Sequence, residues 1–475
     1  MKTIILKFCL VIFALNIVSC KDILDVSVRS SITGQNFWQS ENDFTPYLYG
    51  IYSSFRSNMD DMSFGEDRSE GWKQGYNARF TPYWAQSITA GNTKDWTPYY
   101  GIIGNCNLLL EKIEPYNFSN SANKNRIKAE AYALRAATYF YIAKIWGDVP
   151  LVLKAVVDEK EPLYARSPVA DVFVQINADI TQSLSLFSDA GYLDKYRYSK
   201  PAVYALLADV KMWTGKVLGG GNTDLNAAIA AITEVEKSGV TLSSNYGSVF
   251  DSKKNNEIIF SLYLNRSEYT SGQYNNAFLR YDTSMGADNA ADLPMALAGQ
   301  QAYCLSPQSL ALFQKYPADK RISRTYIPEI IKGKILNYWP NKFIGTKYSD
   351  DRIADSDIII YRLSDMLLLK AEAYASMGQS DNALSYLNLV RQRAGIPLFT
   401  ETNKALLEKE ILDERGRELF HEIKRWWDLV RAHKSGVIDI YQFIPNLIGK
   451  TTPIYWAVHT NVMAKNNKIV QTVGY

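Results

Sequence analysis

Residues 361–394 read YRLSDMLLLKAEAYASMGQSDNALSYLNLVRQRA. Apolar side chains recur every three or four positions on both sides of Gly378, which predicts two amphipathic helices that meet at that glycine. Small Ala371 and Ala375 let the two approach closely. The unit is 34 residues long, the period and layout of a tetratricopeptide repeat. One such pair cannot bury its apolar face alone and needs neighbours to stack on.

The rest of the chain offers those neighbours. Downstream, EILDERGRELFHEIKRWWDLVRAH (410–433) predicts one long helix that completes the last pair. Upstream, residues 127–148 place Ile127, Ala131, Leu134, Thr138, Tyr141 and Ile145 at helical spacing, with Gly147 as a stop. The segment before it puts Ile102, Cys106, Leu109 and Ile113 on one side. Residues 167–187 and 199–215 form a further pair, each opening with Ser and a nearby Pro, and 222–238 follow a triple-glycine loop. The fold class is therefore mainly α, with about four tetratricopeptide-type helix pairs stacked into a right-handed arc. Two stretches break the pattern. Residues 56–98 and 240–358 are rich in Gly, Asn, Asp and Tyr, with short β-like runs such as 257–264, and read as loop-rich, partly β excursions. Binding residues favour such loops on a rigid frame.

The N-terminus has its own logic. A lysine-bearing start, an apolar run over 8–15 and a short tail ending Ser19-Cys20 follow the order of a secretory leader. A small residue directly before a cysteine reads as a lipobox, so Cys20 is the expected lipidation site and residues 1–19 the cleaved signal peptide, with Ile17 where leucine is usual. The apolar run is too short to span a bilayer, which takes about 20 residues. One domain is expected over 20–475: helix pairs and the first excursion within 20–240, the second excursion over 240–358, the repeat helices over 359–434 and a tail over 435–475.

Composition excludes several functions. Net charge is +3 with acids and bases interspersed, so no basic stripe awaits nucleic acid. Three histidines rule out a histidine-rich metal site, and no metal or cofactor is expected. His421-Glu422 begins like a zincin helix, but the second histidine position holds Arg425. Gly449-Lys450-Thr451 resembles the end of a phosphate loop, yet its earlier glycine is Ile444 and Pro453 blocks the helix. No Gly-x-Ser-x-Gly elbow is present. Glu414, Glu418 and Glu422 lie among Arg415, Arg417, Arg425 and Arg431, which depress carboxyl pKa values, so the cluster reads as ion pairing with no catalytic residue in it. Glu130, Arg135 and Glu372 read as ties between helices, and Trp426 and Trp427 as packing. Asp350, Asp351, Asp355 and Asp357 are spaced loosely for calcium and read as a solvated turn. Cys106 and Cys304 stand nearly 200 residues apart; an export compartment permits them to pair, but two buried free thiols are the expectation.

Five stretches taken in order resemble the SusD/RagB family of surface nutrient-binding lipoproteins. They are CKDILD at Cys20 followed by FWQSENDFTPYLYGIY (37–52), the 96–113 segment with Tyr100 and Asn107, RIKAEAYALRAATYFYIAKIWGDVPLV (126–152), residues 362–395 and ERGRELFHEIKRWWDLVR (414–431). Asp22 and Asp25 resemble the surface-export signals of Bacteroidetes lipoproteins. The chain departs from the family at Ile423, where glycine is usual, and in a C-terminal run reduced to Pro453-Ile454 and Val473-Gly474-Tyr475. The resemblance implies a non-enzymatic lipoprotein, anchored in the outer membrane and facing the exterior. It would capture a glycan and act as the lid of a SusC-like TonB-dependent transporter. A peptide ligand, as in the RagB branch, is the alternative, and a surface glycoside hydrolase is the alternative of another class.

A sugar ring has an apolar C–H face rimmed by hydroxyls, so recognition calls for a flat aromatic with polar side chains at its edge. In the first excursion Trp72, Tyr76, Tyr83 and Trp84 stand near Asp67, Arg68, Lys73 and Asn77. Trp96 follows at the start of a helix. In the second excursion Tyr274, Arg280, Tyr281, Tyr303 and Trp339 stand among Asn275, Asn276 and Asp282. These ten residues are the candidate ligand contacts.

Overall fold

Gly378 takes φ 76°, the left-handed conformation that a Cβ disfavours. Helices Leu363–Ser376 and Ser380–Ala394 flank it, so the pair stands where the spacing places it. Tyr361 and Arg362, at the start of the same window, close a strand instead, Ile358–Arg362. The computed structural model describes residues 37–76, 80–156, 162–188, 191–192 and 194–475. The expected signal peptide and lipidation site Cys20 lie outside them.

Ten helices of ten or more residues make up the frame among the described residues: α1 Phe44–Met59, α2 Thr97–Ile113, α3 Ser121–Trp146, α4 Val169–Leu186, α5 Lys200–Val217, α6 Gly221–Glu236, α7 Leu363–Ser376, α8 Ser380–Ala394, α9 Lys404–Glu418 and α10 Arg425–Lys434. Consecutive helices pack on each other from α2 to α4 and from α5 to α6, α7 then packs on α6, α8 and α9, and α10 returns onto α5. Thr45–Tyr475 form one compact unit. Local chemistry sets the ends. Asn120 caps α3 by accepting from the Ala122 and Asn123 amides, and Gly147 at φ 71° stops it. From Ala129 onward α3 is buried around nearly its whole circumference, as a helix at the centre of a bundle must be.

Buried charged side chains tie the helices of this frame together. Arg135 of α3 grips Asp179 of α4 through two bonds of 2.6 and 2.8 Å. Glu130 takes Arg197 and the Tyr52 hydroxyl, and Glu372 of α7 takes Arg431 of α10. Arg321 bonds Glu414 and Glu418 at 2.6 and 2.9 Å, and Arg362 reaches Glu257, Glu418 and Glu422. Burial pushes the Glu414 carboxyl up, but Arg321, Arg417 and Arg391 outweigh it and hold it at about 2. Against burial, neighbouring arginines likewise hold the Glu410, Glu418 and Glu422 carboxyls below the usual range, so these side chains act as ion-paired struts. Trp426 and Trp427 are buried with them. Cys106 and Cys304 are both free and buried, each thiol pushed up to about 12 by burial.

One expectation fails. The 410–433 stretch is not one helix: α9 ends at Glu418, α10 starts at Arg425, and His421 and Ile423 between them take φ 64° and 60°. The apolar spacing runs on across the break, and no Gly or Pro marks it. The cause lies far off in sequence. The Trp426 amide donates to the Gly65 carbonyl at 2.9 Å, and the Ile423 carbonyl presses so close to Gly65 that a Cβ there would stand 2.1 Å from its oxygen.

The excursions hold the strands, paired two by two among the described residues. Trp72–Gln74 pairs antiparallel with Tyr303–Leu305, stitching the first excursion to the second. The expected β-run near 257–264 is the strand Ile258–Leu262, antiparallel to Ile358–Arg362. Tyr326–Ile331 and Lys334–Pro340 form a hairpin, and Thr346–Lys347 and Arg352–Ile353 a shorter one.

Candidate ligand-binding site

Burial sorts the ten candidate contacts. Trp72 and Tyr303 are core residues that pack with Met62, Phe313 and Phe420, and the Tyr303 hydroxyl bonds Asp67 at 3.1 Å. Trp339 is fully buried, its indole N–H given to Glu329 at 3.0 Å. Tyr83 stacks on Trp456 at 4.0 Å and Tyr274 on Phe343 at 4.3 Å, both buried. These five are buried: the strand pair Trp72–Gln74 and Tyr303–Leu305 folds the two excursions against each other over Trp72 and Tyr303, while Tyr83 is covered by Trp456 and Tyr274 by Phe343 and His421. Alternation along so short a strand does not reveal which face is covered.

The other five reach solvent to different degrees. Trp84 is half-buried, stacked on Phe80 at 4.3 Å, with its N–H on the Trp72 carbonyl. Tyr76 is exposed and donates to Glu329 at 2.7 Å; burial and that carboxylate push its phenol up to about 12. Trp96 is the exception, buried at 5% exposure against Trp146, at the edge of a largely apolar cleft of about 670 Å³ with Tyr100 and Tyr164. Arg280 is exposed and paired with Asp282 at 2.8 Å. Beside it, Tyr281 opens into a second cleft.

That second cleft combines exposed apolar side chains with charged ones. Its volume is about 570 Å³, within the usual range of roughly 300–1,000 Å³ for a ligand pocket. One wall carries Tyr281, Met285 and Leu297, which are 49%, 56% and 66% exposed. Leaving that much apolar surface in water costs about 25 cal/mol per Å², and a contiguous patch of it marks a surface built to be covered. Buried Leu293 backs the wall. The hairpin of Thr346–Lys347 and Arg352–Ile353 completes the lining with Lys347, Tyr348, Asp350, Asp351 and Arg352.

Tyr348, Asp350, Asp351 and Arg352 are each held by a neighbour. Tyr348 donates its hydroxyl to Asp355 at 2.7 Å, and the Arg266 guanidinium stands 4.8 Å from its ring centre. Asp350 accepts two bonds from Arg266, one of 2.8 Å, which hold its carboxyl below the usual range. Asp351 accepts the Leu297 amide at 2.9 Å and so ties the hairpin to the apolar wall. Arg352 donates to the Ile344 carbonyl at 2.9 Å. The acidic run 350–357 is therefore spent on separate partners, and no cluster fit for a metal ion occurs among the described residues. Of this cleft the sequence singled out only Tyr281, with Arg280 beside it. Met285, Leu297 and Tyr348 carry no local signal; the long-range pairing of 295–297 with the 346–353 hairpin assembles them.

Two family models match this chain: the SusD family over residues 321–475, and a family described as starch-binding, associating with the outer membrane, over residues 24–212. Together they cover well over half of its length. The chain belongs to the SusD/RagB family. A SusD-like protein of Formosa agariphila is 27% identical, over 100% of this chain and 99% of the relative. A crystal structure of a SusD superfamily protein from Bacteroides fragilis superposes with a TM-score of 0.82 at 24% identity, covering 92% of this chain and 100% of that one. A laminarin-binding SusD-like protein superposes with a TM-score of 0.76 at 22% identity, again over 92% and 100%. The mainly helical SusD frame with short strands is thus the fold of this chain.

Proposed function

We propose that this SusD/RagB protein is a cell-surface lipoprotein that captures an oligo- or polysaccharide in the Tyr281 cleft and delivers it to a SusC-like TonB-dependent transporter, acting as its lid. The observation that carries the ligand site is the pairing of a half-exposed Tyr281, Met285 and Leu297 wall with an ordered, charged hairpin in a single cleft. A sugar ring needs that combination, an apolar surface beneath and donors and acceptors at its edge. The family description of starch binding at the outer membrane and the laminarin-binding relative in fold support the ligand class. Outer-membrane association comes with the family; the acyl anchor at Cys20, the outward orientation and the transporter partner are further parts of the proposal.

Carboxylate chemistry also favours capture over hydrolysis. Glycosidic cleavage needs a carboxylic acid with a raised pKa in contact with substrate. Burial raises Glu66 to about 8 and Asp67 to about 6, but each is only 1% exposed, beyond the reach of a saccharide. Asp350 in the cleft is held low by Arg266. Met285 and Leu297 favour one second reading, a peptide with an apolar side chain. Affinity electrophoresis against polysaccharides and titration against peptides, with reducing ends measured in parallel, separate the readings. Retention of a polysaccharide without release of reducing ends is the expected result; retention of peptides alone, or turnover, overturns it.

A further inference from the structure

A cleft of about 400 Å³ lies between α1, the loop ahead of α5 and the end of the strand Ile258–Leu262. Tyr49 on its side is 50% exposed. The Arg197 guanidinium stands 5.1 Å from the Tyr49 ring centre and donates to its hydroxyl at 3.2 Å. Arg197 is in turn clamped by buried Glu130 through bonds of 2.7 and 2.9 Å. The ring is therefore held in place by the protein's own side chains. Tyr263, half-buried, lines the same cleft and packs against Tyr196 at 4.9 Å between ring centres.

Polar groups at this cleft have capacity to spare. Arg56 donates through Nη1 to the Tyr263 carbonyl and pairs with Glu268 at 2.7 Å, and its Nη2 has no protein partner among the described residues. The Ser53 and Tyr263 hydroxyls likewise make no hydrogen bond to protein among the described residues, while Lys253 Nζ stands 4.7 Å from the Tyr263 ring centre. Arg56 is balanced by Glu268, Arg197 by Glu130 and Asp194 by Lys254, so the site favours neither an anion nor a cation. Hydroxyls both donate and accept, and they suit a rim that alternates guanidinium with carboxylate.

We propose that the Tyr49 cleft is a second carbohydrate site, which takes a neutral, unmodified saccharide unit on the Tyr49 and Tyr263 rings with its hydroxyls on Arg56, Ser53 and Asp194. It rests on the carbohydrate reading for its ligand class alone and uses none of the Tyr281 cleft residues. Two weak sites that engage one polymer raise its retention beyond either site alone.

The test is a printed array of neutral and uronate-containing glycans, probed with the full chain and with Tyr49→Ala, Tyr263→Ala, Tyr281→Ala and the Tyr49→Ala/Tyr281→Ala pair, each confirmed folded by circular dichroism. Loss of one aromatic platform lowers apparent affinity roughly 2- to 13-fold. Tyr49→Ala and Tyr263→Ala are expected to lower the signal on neutral glycans by that factor, and the double variant to fall below either single one. Unchanged signals in both Tyr49→Ala and Tyr263→Ala overturn the second site, and so does an effect confined to uronates. If Tyr281→Ala alone loses binding, the second site falls and the first stands; if no glycan on the array is retained, both fall together.

Discussion

Gly65→Ala tests why the last helix is broken. The added Cβ would meet the Ile423 carbonyl oxygen at 2.1 Å, its carbon at 2.5 Å and Cγ2 at 2.7 Å. Two of those atoms are backbone, so the α9–α10 connection must move rather than a side chain. Forced overpacking costs about 1–3 kcal/mol. The shift also strains the Trp426 amide bond to the Gly65 carbonyl, which contributes about 1 kcal/mol. Together the expected loss is about 2–4 kcal/mol. Urea denaturation followed by tryptophan fluorescence reads it, because Trp426 and Trp427 open α10 and are buried. A loss below about 0.5 kcal/mol would show that the connection yields freely and that Gly65 does not dictate the break.

The same connection yields a second expectation. Ile423 holds φ 60° with a branched Cβ, so Ile423→Gly should be more stable than Ile423→Ala by about 0.5–1 kcal/mol in urea, the reverse of the ordinary helix order; equal midpoints would remove the strain argument. Glu66, raised to about 8 from 4.5 by burial, contributes stability that is complete below pH 4.5 and lost as pH rises through 8. Glu66→Gln keeps an acceptor for the Lys424 amide and should match the native melting temperature at pH 4.5 but exceed it at pH 9, the gap growing by up to about 1.4 kcal/mol per pH unit; no gap at pH 9 would mean that the carboxyl ionises without penalty. Trp72→Ala should cost about 3–5 kcal/mol in stability and leave glycan retention intact while the protein is folded, since the ring lies in the core. Loss of retention at native stability would return Trp72 to the site.

The helical frame was legible because long amphipathic periodicity and special residues agree along it: Gly378 and Gly147 stand at their turns, Pro201 in the first turn of α5, and the Arg–Glu clusters at helix contacts. The α9–α10 break was hidden because its cause is a backbone contact with Gly65, more than 350 residues earlier. The site was half legible for a related reason. Aromatic composition pointed to the two excursions, the second of which carries the proposed cleft, yet whether a ring is platform or core depends on contacts between segments distant in sequence, such as strand pairs of three residues. So Trp72, Tyr83, Tyr274, Tyr303 and Trp339 went inside, Tyr281 stayed out, and its partners Met285, Leu297 and Tyr348 gave no sign beforehand.

The central claim is that the Tyr281 cleft holds a saccharide. A crystal structure of the protein with an oligosaccharide cut from whichever polysaccharide it retains tests this most directly. The expected result is a sugar ring laid against Tyr281, its hydroxyls within hydrogen-bonding reach of Lys347 or Arg352 on the hairpin. A bound saccharide found elsewhere, with this cleft empty, would contradict the account.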